Sequence, residues 1–177
     1  MQEHSEELVW QESLDVSKPL AESRLDVADA IDVFRYFASN GPKFLKPTER
    51  FIDGTLRGYV KNVALGVSVC IIPWNFPLLM AAWKVAPALM AGCTLVLKPS
   101  EVAPLASFSL AHATVAAKLP PGVFNICVGV GANVGDSLID HPAVRKVAFT
   151  GSTAIGANIA KKCASHMPLK HCSLELG

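Results

Sequence analysis

From Pro77 onward, short apolar strands alternate with helices, and this rhythm limits the fold more than any single residue does. Leu78 to Ala91 reads as a helix apolar almost all round and ended by Gly92. Cys93 to Leu97 reads as a short uncharged strand and Pro104 to Lys118 as a second helix. After the Pro120-Pro121-Gly122 turn come a strand over Gly122 to Val128 and a short helix over Asn133 to Ile139. A strand over Val144 to Phe149, a helix over Ala154 to Ala164 and a strand over His171 to Leu176 complete the series. Strands apolar on both faces need helices on both sides, which means a parallel sheet. Right-handed crossovers make such a sheet doubly wound. The expected class is therefore α/β, a doubly wound parallel sheet.

Upstream, the pattern changes. Leu20, Val27, Ile31, Phe34 and Phe37 recur at helical spacing, so Ser17 to Ala38 is expected to be helical. Ser17-Lys18-Pro19 serves as its start and Asn40-Gly41-Pro42 as its stop. Lys43 to Gly58 is polar and turn-rich, and Tyr59 to Ile72 reads as extended, with Val63, Leu65, Val67, Val69 and Ile71 alternating.

Charge excludes some partners. Sixteen basic and fifteen acidic residues leave a net charge of +1, which favours neither nucleic acid nor an anionic membrane surface. Asn62 to Trp83 holds no charged residue, but Gly66, Pro73, Asn75 and Pro77 interrupt it, so a buried strand, turn and helix are expected rather than a membrane span. Met1 to Glu12 carries four glutamates and no apolar core, unlike a signal or transit peptide. The five cysteines include no C-x-x-C pair and no metal spacing. They suit a reducing compartment, so a cytoplasmic location is expected. Each is read as a small apolar residue; Cys172 is the one weighed as a nucleophile, and no motif supports it. With 51% hydrophobic residues the chain is rich in apolar surface, as for a deeply buried core or a piece of something larger.

In sheets of this class, ligands bind beyond the carboxyl ends of the strands. The segments that follow the strands are 73–77, 98–101, 129–135, Thr150-Gly151-Ser152-Thr153, and Glu175-Leu176-Gly177, and all should open on one edge. The Thr150–Thr153 turn runs from an apolar strand into a helix. Ser152 or Thr153 can cap that helix, whose first N–H groups and dipole make a seat for a phosphate. Gly151 would let the backbone approach a ligand, and Gly156 would let the helix press on a neighbouring strand or ligand. The plainer reading is an ordinary capped helix after a buried strand.

Several motifs then resemble one family. Ile72-Pro73-Trp74-Asn75-Phe76-Pro77, Trp83-Lys84-Val85-Ala86-Pro87-Ala88-Leu89, Lys98-Pro99-Ser100-Glu101, Pro120-Pro121-Gly122-Val123-Phe124-Asn125-Ile126, Phe149-Thr150-Gly151-Ser152-Thr153 and Leu174-Glu175-Leu176-Gly177 resemble, in order and spacing, the aldehyde dehydrogenase superfamily. The likeness covers most of the chain from about Ser13. Trp83 to Leu89 and the Gly92-Cys93 junction are similar to betaine-aldehyde and aminoaldehyde dehydrogenases.

The resemblance implies oxidation of a small-molecule aldehyde to an acid with NAD or NADP, through a cysteine thiolate. It implies that Asn75 donates a hydrogen bond to the oxyanion and that Glu175 deprotonates the hydrolytic water. A carboxylate at the mouth of an apolar strand would be partly desolvated. Lys98 and Glu101 resemble the pair that holds the adenosine ribose, and a carboxylate there favours NAD over NADP. Trp74 and Ser152 match contacts to the pyrophosphate; Ser100, Gly131, Gly135, Phe149, Gly151 and Gly156 complete the implied cofactor set, with no metal. On composition alone Asn75 is a turn residue, Glu175 a solvated strand end, and Lys98 with Glu101 an exposed ion pair.

Three departures from the family pattern follow. No cysteine occupies the position of the family nucleophile, which lies downstream of the Leu174–Gly177 motif, so the catalytic domain is expected to be absent. The chain also begins partway into the family's cofactor domain. Asn62-Val63-Ala64-Leu65 replaces a stretch that usually holds an acidic residue and a proline, within a segment that resembles the hairpin through which subunits assemble. The expected organisation is 1–58, the N-terminal helical part of the cofactor domain; 59–72, an extended oligomerisation-type segment; and 73–177, the NAD-binding core. A homo-oligomer is expected for the full-length protein. A non-catalytic nucleotide-binding or interaction module on the same fold is the alternative function. An unrelated Rossmann dehydrogenase would need a Gly-rich turn after an early strand and a Tyr-x-x-x-Lys pair, and neither is present.

Overall fold

The computed structural model describes residues 1–51, 54 and 56–177. Two helices, α1 (Ser5–Val16) and α2 (Leu20–Leu45), lead the chain. A hairpin of β1 (Thr48–Phe51) and β2 (Arg57–Val60) follows, antiparallel and separate from the main sheet. The α/β core then runs through β3 (Val67–Ile71), α3 (Pro77–Met90), β4 (Thr94–Lys98), α4 (Leu105–Ala116), β5 (Phe124–Ile126), a π-helical turn Gly131–Gly135 continuing into α5 (Asp136–Asp140), β6 (Val144–Gly151), α6 (Thr153–Ser165) and β7 (His171–Leu176).

The five core strands pair in the order β5-β4-β3-β6-β7, and every pairing is parallel. Strand order reverses between β3 and β6, which is where such a sheet opens a crevice for ligand. Side chains alternate across the pleat, so β3 divides between two cores. Cys70 and Ile72 face α1, α2, α3 and α4 together with Leu95, Leu97, Leu78 and Leu110. Val69 and Ile71 face α5 and α6 with Val147, Phe149, Ile139 and Ile159. The expected doubly wound parallel sheet is the one found.

Several expectations for the N-terminal half need correction. Helix α2 does not stop at Asn40-Gly41-Pro42 but continues to Leu45. Gly41 is buried against α3, where an added Cβ would lie 2.3 Å from Met90 Cγ. Close packing of two helices at Gly41 thus overrides the local stop signal, and Pro42, inside the last turn, costs α2 one backbone hydrogen bond without ending it. Ser17 closes α1 in the left-handed region at φ 55°, before Pro19 caps α2. The extended reading of Tyr59 to Ile72 divides into β2 and β3, because Gly66 at φ 114° turns the chain between them. The turn-rich reading of Lys43 to Gly58 gives way to the end of α2 and the hairpin; its residues Ile52, Asp53 and Thr55 lie outside the described residues. The remaining boundaries hold to within a few residues. Gly92, at φ 77°, ends α3 with Cys93 N–H donating to Ala88 O at 3.0 Å.

Packing of α1 brings an acidic side chain into the interior. Glu12 is fully buried, with Lys18 Nζ 3.7 Å from its Oε1 and the Leu78 N–H donating to its Oε2 at 3.4 Å. Burial, opposed by the Lys18 charge, pushes the Glu12 carboxyl up to about 7. No described helix is long and apolar enough to cross a membrane.

Two stability outcomes follow. Leu97→Ala, at a site with no exposed surface, should cost about 3 kcal/mol in a denaturant titration, while Leu14→Ala on the surface should stay within about 0.5 kcal/mol. Glu12 has its folded pKa raised, so its contribution is fully present below about pH 4.5 and is lost as pH rises through about 7. The stability of the unmodified chain relative to Glu12→Gln should therefore fall between about pH 5 and pH 7.5. A relative stability that rises across this window would contradict the burial argument.

Candidate active site and cofactor cleft

All five parallel strands point their carboxyl ends at one edge, so the loops after them converge there. On the α5–α6 side of that edge a cavity is lined by Ile71, Lys98, Gly131, Gly135, Phe149 and Ile155. Lys98 is the last residue of β4, and its side chain is almost fully buried, with Nζ donating to Pro99 O at 3.0 Å. Its charge also meets Glu101 Oε2 at 3.6 Å, on the exposed side of the loop. Ser100 Oγ accepts from the Val102 N–H at 3.5 Å, which tightens that loop. The walls are apolar where Ile71, Phe149 and Ile155 stand, and glycines at 131 and 135 leave them open. The rim is charged. That combination fits a flat heteroaromatic ring on the wall and sugar hydroxyls at Lys98 and Glu101, so the residues present suit a dinucleotide.

Beside the cavity, β6 runs on through Thr150 and Gly151, and Ser152 caps α6. Ser152 has extended backbone (φ −65°, ψ 146°), and its side chain makes no capping bond. The expected hydroxyl cap is thus absent, while Ser152 O accepts from the Gly156 N–H at 3.0 Å. Thr153 turns away as well, its hydroxyl donating to Gly177 O just past β7. The first N–H groups of α6 are left for a ligand. Gly151 sits on the Phe149 ring, where a Cβ would come within 2.6 Å, and Gly156 sits on β7, where a Cβ would come within 2.2 Å of Leu176. Gly156 accordingly serves close packing between helix and strand.

Glu175 lies on the α3 side of the same edge. Its side chain is exposed within these 177 residues, on β7 at the edge of the five-stranded sheet. Its carboxylate is nonetheless held: the Thr150 hydroxyl donates to Oε2 at 2.9 Å, and Lys84 Nζ donates to that hydroxyl at 2.6 Å. Burial lowers the Lys84 pKa, an effect opposed by the nearby Glu175 charge. Lys84 is the residue that motif matching passed over. The signal was available, since it is the single charged side chain on an otherwise apolar α3. Trp74 and Asn75 follow β3 and are exposed, outside the cavity that Lys98, Gly131, Gly135 and Phe149 share. The Asn75 amide makes no hydrogen bond to any described residue, which leaves its donors free for a ligand.

Cys70 and Cys93 line a cavity together with Lys84 and Glu175. Cys70 and Cys163 are buried, and burial pushes each thiol up to about 11. Cys172 is exposed on β7 rather than buried among apolar residues, and no described His or carboxylate donates to or accepts from it. No group of His, Cys, Asp and Glu capable of holding a metal occurs among the described residues.

Comparisons with known proteins bear on all of this. The aldehyde dehydrogenase family model matches residues 1–177. Aminoaldehyde dehydrogenase 2, peroxisomal, of Pisum sativum is 44% identical over 179 residues, covering 99% of this chain and 35% of the relative. The NADP-dependent succinate-semialdehyde dehydrogenase GabD of Escherichia coli is 40% identical over 177 residues, covering all of this chain and 36% of the relative. An aldehyde dehydrogenase from Bacillus cereus solved as an NAD+ complex superposes with a TM-score of 0.94 at 39% identity, covering 99% of this chain and 35% of that one. This chain spans about a third of the length of the relatives it matches. With the sheet order, the strand-end motifs and the family model in agreement along its whole length, the chain belongs to the aldehyde dehydrogenase family.

Proposed function

We propose that this chain supplies the cofactor cleft, the oxyanion donor and the general base for NAD-dependent oxidation of a small aldehyde to its carboxylic acid. The observation that carries the reading is the convergence, at one sheet edge, of an apolar slot with a Lys98–Glu101 rim and of a Glu175 carboxylate tethered through Thr150 to Lys84. When bound, the nicotinamide accepts the hydride. Everything else falls to side chains.

Lys98 and Glu101 hold the ribose of the adenosine half at the cleft rim, and Trp74 with Ser152 and the first N–H groups of α6 meets the pyrophosphate. Ser100, Gly131, Gly135, Phe149, Gly151 and Gly156 shape the walls and turns around it. The Asn75 amide is a neutral donor for charge that appears on the aldehyde oxygen only during reaction, the case in which a fixed donor lowers a barrier most effectively. Glu175 takes the proton of the attacking water, and the Lys84–Thr150 chain keeps its carboxylate aimed. None of Cys70, Cys93, Cys127, Cys163 and Cys172 is the thiolate that attacks the aldehyde in this reading. NAD is the cofactor in this reading, rather than NADP, because Glu101 repels a 2′-phosphate. The full-length protein assembles as a homo-oligomer through residues 59–66, the part of the 59–72 segment that precedes the buried β3, and works in the cytoplasm, which suits five unpaired cysteines.

Two experiments test this. The purified 177-residue chain with NAD and a panel of small aldehydes should give no turnover, whereas the longer polypeptide should. Turnover by the short chain that disappears in Cys172→Ala would overturn the assignment of the nucleophile. In equilibrium binding, the unmodified protein should prefer NAD to NADP by at least about tenfold, and Glu101→Gln should narrow that preference by removing charge repulsion. Equal affinity for both cofactors before mutation would rule out the role given to Glu101.

A further inference from the structure

Three charged side chains are buried together beneath the segment that carries Asn75. Glu12 from α1, Lys18 from the α1–α2 link and Asp26 from α2 have side chains that are 0%, 8% and 10% exposed. Lys18 Nζ pairs with Asp26 Oδ2 and lies 3.7 Å from Glu12 Oε1. Burying charge costs several kcal/mol per ion in general, and an apolar replacement of such a cluster is often neutral or stabilising. A cluster of this kind therefore calls for a reason beyond stability.

Its contacts supply one. Helix α3 begins at Pro77, whose ring has no N–H, so the Leu78 N–H is the first donor of that helix. The capping residue Phe76 offers no side-chain acceptor. Glu12 Oε2 accepts from the Leu78 N–H at 3.4 Å and so caps the helix from 66 positions away in the sequence. Lys18 Nζ lies 4.0 Å from the centroid of the Phe76 ring, a cation–π contact on the buried Lys18 side chain. The two residues gripped, Phe76 and Leu78, lie one and three positions after Asn75.

We propose that Glu12, Lys18 and Asp26 are positioning residues that clamp the Phe76–Leu78 backbone and thereby fix the direction in which the Asn75 amide points. The proposal rests on the reading of Asn75 as the oxyanion donor. It adds what the strand-end motifs do not contain, a support that reaches Asn75 from the N-terminal helices. Asn75 itself has no hydrogen bond to any described residue to hold it, so the backbone on its C-terminal side does. A donor loosened by about 1 Å loses most of its effect on a developing charge. Glu12 can keep this contact in either protonation state: Oε1 has no hydrogen-bond partner among the described residues and can carry the proton, while Oε2 remains an acceptor.

The test uses the natural polypeptide that carries these residues, with steady-state kinetics and a double-mutant cycle. Glu12→Leu should lower kcat by roughly tenfold or more and raise KM for NAD by a clearly smaller factor, since Trp74 is the one proposed cofactor contact on this loop while Lys98, Glu101 and Ser152 lie on other strand ends. Glu12→Gln, which keeps an oxygen for the Leu78 N–H, should retain kcat within about threefold. The double variant Glu12→Leu/Asn75→Ala should be no slower than Asn75→Ala alone, a non-additivity that a merely structural role would not give. Phe76→Leu leaves all three charges in place and should lower kcat in the same way, so it carries the test if Glu12→Leu does not fold. Unchanged kcat in folded Glu12→Leu or Phe76→Leu, or a loss that adds fully to that of Asn75→Ala, would overturn the clamp while leaving Asn75 its role. Unchanged kcat in Asn75→Ala would overturn both.

Discussion

The structure depends on one constraint: the strands of its sheet are apolar on both faces and must be covered on both. Leu95 and Leu97 point into the core beneath α1, α2, α3 and α4, while Val69, Ile71, Val147 and Phe149 point into the core beneath α5 and α6. Covering both faces with helices forces every connection between strands to cross over, so all strands run the same way. Parallel strands in turn place every strand end at one edge. The site is a consequence of that arithmetic of direction, since no two of its loops need be near each other in the sequence.

At the edge, the two faces of the sheet divide the work. The α5–α6 face holds the slot between Ile71, Lys98 and Phe149, and the α3 face holds the Lys84–Thr150–Glu175 chain. Strand β6 serves both, because its consecutive residues Phe149 and Thr150 point to opposite sides. A shift of one residue in the pairing of β6 with β3 would exchange them and dismantle both halves together. The N-terminal helices enter the account through Glu12 and Lys18, which reach the start of α3 just past Asn75.

The core was legible in the sequence where local and tertiary signals agree. The uncharged run Cys93–Leu97 and the glycine at 92 mark a strand and a helix end that the structure keeps with small shifts. Where they disagree, the tertiary contact prevails. Asn40-Gly41-Pro42 has the composition of a helix stop, yet Gly41 is small enough to meet Met90 of α3, and the helix passes through. For the site, pattern reading names the strand-end residues but not the environment of Glu175, because exposure depends on β7 lying at the sheet edge. The links from Lys84 to Thr150 and from Glu12 to Leu78 each span 66 positions, and no local pattern encodes a contact of that range.

We propose that a dinucleotide occupies the carboxyl-end edge of this sheet, with its phosphates over the start of α6. Amide hydrogen exchange of the protein with and without saturating NAD tests it most directly. The account predicts slowed exchange at Gly151 to Gly156 and at Lys98 to Glu101, with the β1–β2 hairpin unchanged. Protection confined to the amino-end edge of the strands, or none at Gly151 to Gly156 under saturating cofactor, would contradict it.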